Sequence, residues 1–174
     1  MKSFFALATT VALALAPCAT ANPVPPGAPV HFFTSLRGGL VFGATRGRPA
    51  PGAPLVIAPA GDGSPADPTT FALAAGTDRA PAPIRLLGGH PDQPLCVTGR
   101  GAGGPAPNRP ATLDRCNGED GEQYWLVRGR GPTTVSNTRG ECITIPNGGP
   151  SVGQQVIIAP CEDTPDQFWN PVQV

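Results

Sequence analysis

The stretch CITIPNGGPSVGQQVIIAPCEDTPDQFW, residues 142–169, occurs twice more in altered form. That repetition limits the fold more than any other feature. Placing LCVTGRGAGGPAPNRPATLDRCNGEDGEQYW, residues 95–125, over it aligns Cys96 with Cys142, Cys116 with Cys161, and Gln123-Tyr124-Trp125 with Gln167-Phe168-Trp169. The cysteine separations are 20 and 19 residues. A third copy appears upstream once cysteine is not demanded. In LVFGATRGRPAPGAPLVIAPAGDGSPADPTTF, Val41 and Ala60 take the cysteine places and Phe71 takes the Trp place. PLVIAPA, ending at Ala60, is close to QVIIAPC, ending at Cys161. Self-similarity at a period of about 45 to 55 residues marks an array whose units cannot bury their apolar faces alone. Three units, about 30–75, 82–128 and 132–174, imply a closed three-fold object.

Each unit reads as four short strands separated by Gly, Pro and Asn turns. In the last unit they fall at 133–137, 141–145, 155–159 and 167–172; the first strands of the other two fall at 31–36 and 83–87. With 23 Gly and 24 Pro spread along the chain, long helices are disfavoured. Twelve short strands in pseudo-threefold order suit a small all-β barrel capped by hairpins, an arrangement that leaves no exposed sheet edge. Phe71, Trp125 and Trp169 would then converge as a core layer.

Lys2, the apolar run 4–17 and Ala19-Thr20-Ala21 have the layout of a secretory signal peptide, 1–21, which leaves 22–174 as one domain. Cys18 departs with the leader. Four cysteines remain, an even count in an oxidising extracellular compartment, so disulfides are expected, with three pairings open. Zinc typically needs close Cys pairs, and none exists. Lys2 is the only lysine, and the arginines nearly balance the 12 acidic residues. Nothing in that balance suggests nucleic acid or an anionic membrane as partner. Arg128, Arg130 and Arg139 read as a solvated loop, and no later segment reads as a membrane span.

Paired Cys-x(18 or 19)-Cys followed by Gln-x-Trp, repeated behind a secretory leader, resembles the ricin B-chain type of lectin domain, a β-trefoil. The resemblance covers about residues 30–174. It implies disulfides inside the repeats, Cys96–Cys116 and Cys142–Cys161, each closing a loop of about 20 residues and stabilising by about 3 kcal/mol on the chain-entropy model. It also implies a secreted, non-catalytic module, without cofactor, for extracellular or cell-surface glycans. A sugar site of this family uses an Asp two residues after the first Cys, an aromatic two before the second, and an Asn with a Gln just ahead of the Trp. The second unit holds Thr98, Asp114, Glu122 and Gln123 there; the third holds Thr144, Ala159, Asp166 and Gln167; the first holds Gly43, Ala58 and Thr69.

The carboxylate and the stacking ring are thus missing from all three units. A millimolar site has only about 4.1 kcal/mol in total, and one hydrogen bond to a charged group supplies about 1.5 to 3 of that. Simple galactose is therefore expected to bind very weakly. Surviving contacts would come from Thr98, Asp114, Glu122, Gln123, Thr144, Asp166 and Gln167, with useful affinity drawn from a larger glycan or from both sites together. Gln123 and Gln167 have a second reading, as buried amides that bond the hairpin backbone.

The case for an enzyme is poor. His31 lies in an expected strand and His90 in the loop GGHPDQP, with no serine or free cysteine placed as a nucleophile. The acidic run DRCNGEDGE, 114–122, surrounds an Asn117-Gly118 turn, matches no EF-hand spacing and reads as a solvated hairpin. No Asn-x-Ser/Thr sequon occurs. A rival reading is a protein-binding trefoil, such as a protease inhibitor or secreted effector, whose contacts come from the Pro-rich loops 46–54, 88–94 and 99–110. Prolines there pre-stiffen the chain and reduce the entropy lost on docking.

Overall fold

The computed structural model describes residues 23–45, 47, 49–90, 92–99, 108–118, 121–129 and 131–174. The leader read at 1–21, Arg46, Arg130, Glu119, Asp120 and most of the loop 99–110 lie outside the described residues. The first unit contains β1 (Pro29–Thr34), β2 (Leu40–Ala44), β3 (Ala53–Pro59) and β4 (Phe71–Leu73). The second contains β5 (Ala82–His90), β6 (Gln93–Thr98), β7 (Arg109–Pro110), β8 (Thr112–Arg115) and β9 (Tyr124–Val127). The third contains β10 (Thr133–Asn137), β11 (Glu141–Thr144), β12 (Ile157–Pro160) and β13 (Phe168–Gln173).

The outer strands of the units pair antiparallel in a ring, β13–β1–β4–β5–β9–β10 and back to β13. The inner strands form three hairpins, β2–β3, β6–β8 and β11–β12. The outer strands β9 and β10 turn alternate side chains inward; in β10 Thr133, Val135 and Asn137 are buried between half-exposed neighbours.

Thirteen strands appear where the sequence suggests twelve, because the third strand of the second unit is interrupted at Ala111. That residue turns its backbone to the neighbouring units instead. The N–H of Ala111 donates to Val156 O, that of Val156 to Leu55 O, and that of Leu55 to Ala111 O, each at 2.9 Å. All three residues are fully buried. A cyclic triangle of backbone hydrogen bonds therefore joins the three hairpins at equivalent positions, five residues before Ala60, Cys116 and Cys161. Backbone groups buried this deeply must be paired, and the pseudo-threefold arrangement lets each unit satisfy the next.

The same equivalence holds at the cysteine stations. Cys96 is bonded to Cys116 and Cys142 to Cys161, with Cα atoms 4.9 and 5.0 Å apart. In the first unit Val41 pairs with Ala58 as Cys142 pairs with Ala159. The N–H of Ala60 donates to Gly39 O at 3.0 Å, as those of Cys116 and Cys161 donate to Pro94 O and Gly140 O at 2.9 Å. Val41 is fully buried and Ala60 half-buried at the places where the other units carry their disulfides.

Phe71, Trp125 and Trp169 all belong to one buried cluster. Phe42 mediates their contact in the first and third units: its ring lies 5.3 Å from Phe71 and 4.9 Å from Trp169, edge-on to both, and is stacked on Phe32 at 4.5 Å. The indole N–H groups of Trp125 and Trp169 donate to Val97 O and Ile143 O, each at 2.8 Å. Two expectations change. His90 ends strand β5 rather than sitting in a loop, and segment 88–94 is mostly strand, because β5 runs to His90 and β6 resumes at Gln93.

Candidate functional site

The Gln-x-Trp hairpins are built alike in the second and third units. Gln123 Nε2 donates to Thr98 Oγ1 at 3.0 Å and to Arg115 O at 2.9 Å, and its Oε1 accepts from Asn117 N at 2.7 Å. Gln167 Nε2 donates to Thr144 Oγ1 at 3.2 Å and Pro160 O at 2.7 Å, and its Oε1 accepts from Glu162 N at 2.7 Å. Both glutamines are 2% exposed. The hydroxyls of Thr98 and Thr144 donate in turn to Cys96 O and Cys142 O at 3.0 Å. These four side chains lock the hairpin that carries each Trp. Their polar groups are spent on the protein.

The first unit reaches the same end with different residues. Thr69 stands at the Gln place, and its hydroxyl accepts from Gly61 N at 3.1 Å, the bond made by Gln Oε1 elsewhere. Gly43 stands at the Thr98 place because Thr69 has moved in: a Cβ there would lie 2.7 Å from Thr69 Cγ2. Asp67 then fills a socket floored by Gly61, where a Cβ would meet its Oδ2 at 2.1 Å. Its Oδ1 accepts from Thr69 N and Oγ1 at 2.8 and 2.7 Å, and its Oδ2 from Gly63 N and Thr70 Oγ1, both at 3.1 Å. Burial raises the Asp67 pKa, but the hydrogen bonds from Thr69, Gly63 and Thr70 together outweigh it and hold the carboxyl below its ordinary value. His31 Nε2 completes the cluster, 3.2 Å from Asp67 Oδ2 and 3.1 Å from Thr70 Oγ1. A His, an Asp and two hydroxyls invite comparison with a catalytic set. Here one ring nitrogen carries all the contacts and every member is buried.

In the second unit the carboxylate just ahead of the Gln is committed elsewhere. Glu122 pairs with Arg139 and lies 3.5 Å from Arg109 Nη1. Arg109 is 7% exposed, and its Nη2 donates to both carboxylate oxygens of Glu141 at 2.7 Å. Asn137 Nδ2 supports Glu141 at 2.8 Å. The alternating Glu122–Arg109–Glu141 chain, with Arg139 at its end, fastens the second unit to the third. Arg139, read from sequence as a solvated loop residue, is 56% exposed and also pairs with Glu122. Asp114 is half-buried on β8 opposite Cys96.

The third unit is open. A cavity of about 530 Å³ lies beside its hairpin, and Thr144, Ala159, Asp166 and Gln167 all line it, the four positions that the motif spacing brings together. Ile145, Pro146, Ile157 and Pro160 give it apolar walls. Further polar groups come from Asn108, Asn147, Glu162 and Thr164. Asn108 belongs to the second unit and reaches the cavity because β7 pairs with β12, Arg109 opposite Ile158. Asn147 and Asn108 sit at left-handed φ values of 62° and 68°, a conformation Asn tolerates better than most residues. Thr164 caps the 3-10 turn Pro165–Gln167 without a side-chain capping bond, which leaves its hydroxyl to the cavity. No lining residue is aromatic or basic. Spacing from the cysteines found Thr144, Asp166 and Gln167. It missed Asn108, which arrives from the neighbouring unit, and Glu162 and Thr164, whose only signal is their polarity between Cys161 and Gln167.

Three equivalent four-strand units, a ring of outer strands and a triangle of hairpins define a β-trefoil. Residues 86–173 match the model of the ricin-type beta-trefoil lectin domain, and the chain belongs to that family. Among solved structures it is similar to the designed three-fold symmetric protein ThreeFoil, with a TM-score of 0.67 and 13% identity over 83% of this chain and 99% of that one. It is also similar to the C-half of an earthworm R-type lectin solved with GalNAc, with a TM-score of 0.63 and 15% identity over 84% and 99% of the two chains. The Rhizoctonia solani agglutinin matches with a TM-score of 0.61 and 13% identity over 86% and 96%. A search of curated proteins finds no sequence match.

Proposed function

We propose that this chain is a secreted, non-catalytic glycan-binding module whose contact lies in the third unit. The observation that carries this reading is the third-unit cavity, lined by the residues that the family motif aligns with a sugar site. Membership of a lectin family supports carbohydrate binding as the general function. Two disulfides suit an oxidising extracellular setting, and among the described residues no helix is long and apolar enough to cross a membrane. Thr144 and Gln167 shape the floor but have their hydrogen bonds filled, so Asp166 is the motif residue left to meet a ligand. In the second unit Glu122 serves the seam between units instead.

The test is a glycan array followed by titration of the best ligand. Replacing Asp166 with Ala is expected to weaken binding at least about tenfold, one hydrogen bond's worth of free energy. Replacing Glu122 with Ala is expected to lower stability and leave the affinity of the folded fraction unchanged. Unchanged affinity in Asp166→Ala would remove the third-unit cavity as the site.

A further inference from the structure

Resting on the reading of the third-unit cavity as a glycan site, we infer that its preferred ligand is a cationic amino sugar, a hexosamine unit with a free ammonium group, rather than a neutral or acidic one. Two carboxylates, Glu162 and Asp166, line the cavity, and no Arg, Lys or His does. Neither carboxylate is bound to a cation among the described residues, in contrast to Glu122 and Glu141, which both face arginines across the unit seam. The backbone holds Glu162 in place: its N–H is bonded to Gln167 Oε1 at 2.7 Å, and Asp163 beside it turns through a left-handed φ of 54°. The backbone at Asp166 is held as well, since its carbonyl accepts from Ile145 N at 3.0 Å. The hairpin backbone that carries both carboxylates is thus bonded in place without any ligand.

The remaining lining fits the rest of a pyranose. Ile145, Ile157 and Ala159 offer an apolar surface to its C–H face, and the amides of Asn108 and Asn147 with the Thr164 hydroxyl can take its ring hydroxyls. With no aromatic ring to stack on, neutral sugar contacts are weak here, and ion pairing in a partly enclosed site contributes a larger share of the binding than on open surface. N-acetylation removes the charge. A uronic or sialic acid places a third negative charge beside these two carboxylates.

Calorimetric titration of the mature protein with galactosamine, glucosamine, their N-acetyl forms, the parent hexoses and glucuronic acid tests this directly. The free amino sugars are expected to bind at least tenfold tighter than their N-acetyl forms, and that preference is expected to vanish in the Glu162→Gln, Asp166→Asn double variant, whose isosteric amides leave the hairpins intact. Equal or tighter binding of N-acetyl or neutral sugars would overturn the inference and leave the lectin reading standing. Competition by putrescine as strong as that by the amino sugars would show a site that reads charge alone, which also overturns it. If no sugar of any class, monomer or array glycan, binds the folded protein, the lectin reading falls and the inference falls with it.

Discussion

Replacing Asp67 with Ala is expected to destabilise the protein by about 4 kcal/mol at neutral pH. The carboxylate accepts four hydrogen bonds from Thr69, Gly63 and Thr70 and faces His31, in a buried socket. Hydrogen bonds to a charged group contribute about 1.5 to 3 kcal/mol each, and removing one partner of a buried set leaves the others unsatisfied. The effect depends on pH with a definite sign. Asp67 titrates below its ordinary value when folded, so its contribution is fully present above the unfolded carboxylate pKa of about 3.9 and is lost as pH falls through the lower folded value. Denaturant unfolding of both proteins at pH 7 and in steps below pH 4 would show the gap between them closing in acid. A gap under 1 kcal/mol at pH 7, or one that stays constant into strong acid, would contradict the role given to Asp67.

Trp169→Ala is expected to cost about 4 to 5 kcal/mol, the upper range for truncating a buried aromatic. Trp169 has no exposed surface, packs edge-on against Phe42, donates to Ile143 O, and lies on β13 opposite both Thr34 of β1 and Thr133 of β10. Its loss opens a cavity where the first and third units meet. Trp169→Phe supplies the control, because the first unit already works with Phe71 at the equivalent place. That variant is expected to lose about 2 kcal/mol, the indole hydrogen bond and some volume. Equal losses from the two substitutions, measured by thermal or denaturant unfolding, would mean that packing at this station matters less than the indole N–H.

How far the sequence could be read follows from what each feature depends on. The three-fold architecture was legible because Cys, Gln-x-Trp and the PLVIAPA and QVIIAPC strands repeat at one spacing, and a repeated spacing is a statement about backbone position. Val41 and Ala60 could be placed at cysteine stations for the same reason. The interruption at Ala111 was not legible, since the backbone partners of Ala111 are Leu55 and Val156 in the other two units. Side-chain partners across units were equally hidden: nothing local to Glu122 announces Arg109 and Arg139, and nothing local to Asp166 announces Asn108. The His31–Asp67 cluster left one faint trace, the Asp-Pro-Thr-Thr run at 67–70, where an Asp bonds the backbone two residues on. Pairing with His31 depends on the fold.

The most direct measurement of the central claim is an amide chemical-shift titration of isotope-labelled residues 22–174 with their best glycan or amino sugar. The expected result is a set of shifts confined to Asn108, Asn147, Glu162, Thr164 and Asp166, around the third-unit cavity, with Glu122, Arg139 and the His31–Asp67 cluster unmoved. Shifts centred on Thr98, Asp114 and Glu122, or on residues 49–52 between β2 and β3, with the third-unit cavity silent, would contradict it.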